Sequence, residues 1–120
     1  MPLTTKPEES ASPIRRTLLC SAPVEDLPGW ETRLYLIEYS PGADGSGHHH
    51  PVAGVGYLLS GAILSAFADE KAVAIREGQG FVDAPHLVHT ISRNASAVEP
   101  VRFVIAYTVK SGEPVTVYPE

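Results

Sequence analysis

Gly42-Ala43-Asp44-Gly45-Ser46-Gly47-His48-His49-His50-Pro51 decides the reading of this chain. Three of its five histidines stand here in a row, after a glycine-rich approach and before a proline. An apolar run, Val55 to Leu59, follows and ends near Gly61. On an extended strand successive side chains point to opposite faces. His48 and His50 then share one face and His49 takes the other. Two imidazoles at i and i+2 on one face can meet a single metal ion. Histidines in a loop near a strand end, with no ligand, are the blander alternative.

Outward from this stretch the chain reads as short strands. Ile14 to Cys20 is a first strand, and Ser21 to Trp30, with Pro23, Pro28 and Gly29, is a loop. Glu31 to Ser40 is rich in β-formers. Further strands are expected over 54–60, 62–68, 72–76, 81–83, 87–92, 101–110 and 115–118. Turns at Gly61, Asp69-Glu70-Lys71, Glu77 to Gly80 and Ser111-Gly112 separate several of them. No stretch keeps helical periodicity over three turns. Close-spaced strands punctuated by Gly and Pro predict an all-β antiparallel sandwich or barrel. At 120 residues the chain is expected to be a single domain over 14–120, preceded by a flexible, proline-rich arm over 1–13.

Composition narrows the function. Net charge is −5, and basic residues do not cluster beyond Arg15-Arg16, so no nucleic-acid footprint is expected. No apolar run approaches the roughly 20 residues that span a bilayer, and the N-terminus does not read as a secretory signal. The single cysteine, Cys20, excludes an intrachain disulfide and suits a reducing compartment. It reads as a buried thiol. These features make the cytoplasm the expected location.

The spacing of glycines and histidines resembles that of the cupins, small β-barrels of jelly-roll type. Their first motif runs Gly, five residues, His-x-His, three or four residues, Glu, six residues, Gly. Gly42, His48, His50 and Gly61 match it, but Gly54 stands where the glutamate belongs. Their second motif runs Gly, five residues, Pro-x-Gly, two residues, His, three residues, Asn. Gly78 and His89 keep the separation. Ala84 takes the proline position with Pro85 one place late, His86 takes the glycine position, and Asn94 falls one place after the asparagine position. The resemblance covers roughly residues 31–118. It implies a cupin-type jelly-roll barrel in which His89 lies beside His48 and His50 as the third metal ligand, and a small molecule as the partner.

That donor set implies a divalent transition metal, Fe(II) first, with Zn, Mn, Ni or Cu as the other options. Without the glutamate the site holds a metal less tightly and is more positive. This favours anionic, chelating substrates. Three-His iron sites of this kind resemble those of thiol and β-diketone dioxygenases. Asp83 is the acid nearest the second motif, with a role as replacement carboxylate or base; a plain loop carboxylate is its blander reading. Tyr57, Phe81, Phe103 and Tyr107 read first as core aromatics, one or two of them at the pocket wall. Of these, Phe81 is assigned to the pocket and Tyr57, with Asp83, to catalysis. His86 is expected at the barrel mouth, as a turn residue or behind the ligands. Three functions compete: an Fe(II) dioxygenase, a metal-dependent isomerase, decarboxylase or lyase, and a non-catalytic binding barrel. Small cupins commonly pair through edge strands, so a homodimer is expected.

Overall fold

The computed structural model describes residues 13–119. The expected N-terminal arm therefore lies, except for Pro13, outside the described residues. The strands are β1 (Ile14–Pro23), β2 (Trp30–Tyr39), β3 (His48–His49), β4 (Gly54–Ser60), β5 (Ala62–Phe67), β6 (Val73–Arg76), β7 (Gly80–Asp83), β8 (Val88–Asn94) and β9 (Val101–Lys110). They form two antiparallel sheets, ordered β1-β2-β9-β4-β7 and β3-β8-β5-β6. The described residues contain no helix.

The central strand β9 shows why. Its sequence, VRFVIAYTVK, alternates buried and more exposed positions along its length. Val101, Phe103, Ile105, Tyr107 and Val109 all turn inward. Such period-two burial fits a strand with one face on a core. Leu58 of β4, Ile37 and Tyr39 of β2, and Ile63 of β5 complete that core. Leu58, Val101 and Ile105 are almost wholly buried. Each apolar side chain of this size contributes roughly 1.5–3 kcal/mol by leaving water.

Two segments differ from the sequence expectation. Val115 to Tyr118 is no strand: it makes one bridge, Val117 with His49, and Pro114 and Pro119 flank it. The first strand runs three residues further than expected, to Pro23, because a sheet edge tolerates proline. Cys20 lies on this edge strand and is exposed, not buried. Among the described residues no sheet neighbour flanks β1 beyond β2, and most of its side chains are exposed.

Candidate metal centre

The sheets bring the two histidine stretches together by register. β3 pairs antiparallel with β8, and His48 stands directly opposite His89. The glycine-rich loop is stitched to the same strand, Gly45 N–H donating to Ser92 O at 2.8 Å and Gly47 N–H to His89 O at 2.9 Å. Gly45 has to be small: a Cβ there would lie 2.8 Å from Ile14 Cδ1 and 2.9 Å from the Tyr39 hydroxyl. Strand parity does the rest. His48 and His50 are buried, while His49 bridges Val117 through its backbone and does not reach the cavity.

Each of the three imidazoles has one nitrogen tied down and one turned to the others. His48 Nδ1–H donates to Gly45 O at 2.7 Å. His50 Nδ1–H donates to Val115 O at 2.8 Å. His89 Nε2 and Ser65 Oγ hydrogen-bond at 2.8 Å. The remaining nitrogens converge, with His48 Nε2 and His89 Nδ1 3.3 Å apart. One ligand atom from each of the three residues lies within 4.8 Å of the others. Fixing the far nitrogen sets ring orientation and tautomer, as protein metal sites do. Phe67 stacks on His89 at 4.0 Å between ring centroids.

The electrostatics suit a cation. Burial pulls both His48 and His89 down to about 4, so their rings are neutral near pH 7. His50 Nε2 is the one buried side-chain polar atom without a hydrogen-bond partner among the described residues. Asp83 Oδ2 lies 3.3 Å from it, within ion-pair reach but outside hydrogen-bond alignment. Three buried imidazoles with one ligand atom each within 4.8 Å of the others are a donor set that fits a divalent metal.

The three histidines line a cavity. Ile37, Ile63, Phe81 and Phe103 give it apolar walls, and Tyr39 and Tyr107 give it hydroxyls. Burial pushes Tyr39 up to about 12 and raises Tyr107 as well, so both stay protonated donors. Tyr39 is hydrogen-bonded to Ser92 Oγ at 2.9 Å.

The other expected site residues divide. Asp83 is buried at the end of β7 and lines the cavity; it is not a loop carboxylate. Phe81 lines the cavity. Gly54 lies in β4 against Tyr107 and Ile105. His86 is exposed, and its contact with the site is through the backbone: its N–H donates to His50 O at 2.7 Å. It does so at φ 70°, the left-handed conformation that favours the glycine found there in cupins. Tyr57 is misassigned as catalytic. It is 48% exposed and off the cavity, because it points to the face of β4 opposite to the buried Gly54 and Leu58.

Four contributors were missed from sequence: Ser65, Tyr39, Arg16 and the carbonyl of Val115. Ser65 was visible as the lone polar residue in AILSAF. Arg16 comes from β1, far from the histidines in sequence, and reaches the cavity. Its Nη2 donates to the Tyr118 hydroxyl at 2.7 Å and its guanidinium sits 5.7 Å over that ring.

Known structures share this architecture. A protein with a double-stranded β-helix domain from Klebsiella pneumoniae superposes with a TM-score of 0.64 at 14% identity, covering 89% of this chain and 85% of its own. A cupin-like protein from Thermotoga maritima gives a TM-score of 0.67 at 19% identity, covering 88% and 75%. Oxalate oxidase gives 0.64 at 20% identity; 98% of this chain is covered, but only 58% of the oxidase. These likenesses establish the fold. No curated protein matches the sequence significantly. The profile of the Cupin_2 family, described as the cupin domain, matches residues 35–115, which include all three histidines. With both motifs placed around one buried histidine cluster, the chain belongs to the cupin family.

Proposed function

We propose that this cupin is a metal-dependent enzyme acting on a small, anionic, chelating molecule, with Fe(II) as its metal and a dioxygenase reaction. The observation that carries the reading is the set of three buried imidazoles, each held by its far nitrogen and opening onto one apolar cavity. Bound there, the metal would supply Lewis acidity and, for iron, redox chemistry. The chain supplies the rest. Ile37, Ile63, Phe81 and Phe103 exclude water, and the Tyr39 and Tyr107 hydroxyls offer hydrogen bonds.

Arg16 supports the anionic character of the substrate. It lines the cavity, rests on Tyr118 and has no acidic partner among the described residues. A carboxylate reaching from the metal end towards the mouth would meet this guanidinium in a geometry it suits. One structural neighbour, oxalate oxidase, is known bound to the substrate analogue glycolate, a small hydroxycarboxylate. A second reading, a metal-dependent lyase, isomerase or decarboxylase, is favoured by Asp83, a buried carboxylate at the cavity wall able to take a proton. A DMSP lyase from Ruegeria pomeroyi is also among the structural neighbours, at a TM-score of 0.59 and 14% identity.

Anaerobic purification, loading with Fe(II) or Zn(II) and oxygen-uptake assays over small carboxylates, β-diketones and thiols test these readings. The dioxygenase reading expects uptake with Fe(II) alone, abolished in His48→Ala. Turnover with Zn(II) and no oxygen use would replace it with the lyase class. Saturable binding without turnover would make the protein a binding barrel. The reading also includes a homodimer through β1, whose Leu18 and Leu19 are half exposed, and residence in the cytoplasm. A sedimentation mass equal to one 12.8 kDa chain would refute the dimer.

A further inference from the structure

The position of the family's glutamate is closed in this chain. A Cβ on Gly54 would lie 2.6 Å from Tyr107 Cε1 and 2.8 Å from Ile105 Cδ1. Tyr107 thus fills the room a carboxylate would need. The residue directly opposite Gly54 on β7 is Asp83. Residues directly opposed in an antiparallel pair point to the same face of the sheet, their Cβ positions about 5 Å apart. Asp83 therefore offers a carboxylate from the neighbouring strand to the face that residue 54 would have served. It is 6% exposed, and His50 is its one polar side-chain contact among the described residues.

The contact itself asks for a cation. The hydrogen bond between His50 Nδ1 and Val115 O, at 2.8 Å, fixes the ring with Nε2 turned to Asp83. Nε2 lies 3.3 Å from Asp83 Oδ2 with no hydrogen bond between them. Both atoms are buried, and a shared partner between them would satisfy both. Ligand bonds of about 2.0–2.2 Å, spread between octahedral and tetrahedral angles, put neighbouring ligand atoms about 2.8–3.6 Å apart. The His50–Asp83 separation of 3.3 Å lies in that range.

We infer that Asp83 is the fourth, anionic ligand of the metal centre. The carboxylate has moved from β4 to the facing position on β7, and the aromatic ring of Tyr107 has taken the space it left. The inference rests on the metal-binding reading above and refines its donor set from three imidazoles to three imidazoles and a carboxylate. Such a mixed set suits Mn(II) and Fe(II), which accept both donor types.

The test is equilibrium binding of Mn(II), by competition with a chromophoric chelator, with the d–d spectrum of the Co(II)-loaded protein as a second readout. Wild type, Asp83→Asn, Asp83→Glu and His48→Ala are compared, with far-UV circular dichroism as the check on folding. Asp83→Asn is expected to bind Mn(II) at least about tenfold more weakly, the lower bound for disturbing even an outer-shell partner. Its Co(II) spectrum should shift, and Asp83→Glu should recover part of the affinity. Asp83→Asn that binds Mn(II) like wild type with an unchanged Co(II) spectrum overturns the assignment, whatever its activity. Should Asp83→Asn fail to fold, an Asp83→Ser protein that folds and keeps wild-type Mn(II) affinity and an unaltered Co(II) spectrum overturns it equally. Wild type that binds no better than His48→Ala brings down the metal reading itself, and this assignment with it.

Discussion

The two halves of the histidine centre are built differently. The first, from Gly42 to Gly61, carries His48 and His50 two residues apart on one run of chain, their spacing set by strand parity. The second, from Gly78 to Asn94, supplies His89 from β8 and Asp83 from β7, separated by a turn that holds Pro85 and His86. One half is local and can be counted along the sequence. The other depends on which strands lie side by side: His48 opposite His89, and Gly54 opposite Asp83. If Asp83 binds the metal, the carboxylate is supplied by the strand that faces the family's position, Asp83 standing opposite Gly54.

The largest effect expected from breaking this arrangement is loss of a histidine. His89→Ala should lose metal affinity by more than the effect of Ser65→Ala, which removes only the hydroxyl that fixes the ring. For Ser65→Ala a loss of about 10–100-fold is expected in a chelator competition. Equal affinity for His89→Ala and wild type would remove His89 from the centre.

Putting the family's acid back should not help. In Gly54→Glu the new Cβ meets the Tyr107 ring and Ile105. Overpacking of this kind costs typically about 1–3 kcal/mol, visible as a lower midpoint in urea unfolding. A Gly54→Glu protein of unchanged stability and tighter metal binding would show that the old position remains usable, and the comparison between the halves would lose its point.

Smaller effects concern the turn between the halves. His86 holds a left-handed φ of 70° to bring its N–H to His50 O. His86→Gly keeps that amide and relieves the Cβ strain, so thermal stability should rise by up to about 1 kcal/mol with metal affinity unchanged. A large loss of metal affinity would give the His86 side chain a part in the centre.

Acid should act on both halves together. His48 and His89 have pKa values lowered from 6.5 to about 4, so the unfolded chain binds more protons than the folded one between these limits. Their contribution to the stability of metal-free protein is complete above pH 6.5 and is lost as pH falls towards 4. Urea midpoints measured from pH 7 to 4 should fall accordingly. In His48→Ala the fall should be shallower.

What was legible in the sequence follows the same division. Alternation in VRFVIAYTVK and the Gly/Pro punctuation disclosed an all-β fold. The motif glycines Gly42, Gly61 and Gly78 do occupy positive φ, as turns at those points require. His-x-His was legible because parity is local. Tyr57 was misread because an aromatic near the motif says nothing of which face it takes; counting from Gly54 gives the outer face. Arg16 and Val115 were not legible, since β1 and the C-terminal segment reach the site through long-range packing alone. Val115 to Tyr118 reads as a strand by composition, yet it serves as a clamp: Val115 O holds His50 and Val117 pairs with His49. Asn94, one place off the family position, still ties the end of β8 to Ser40 O and Glu99 O.

The central claim is that one metal ion joins the two halves. Anomalous diffraction from a crystal grown with Mn(II) or Fe(II) tests it most directly. The account predicts a single strong peak in the barrel, about 2.0–2.3 Å from nitrogens of His48, His50 and His89. A barrel free of anomalous signal at these residues, with metal bound instead at the outward-facing His49 or His86, would contradict it.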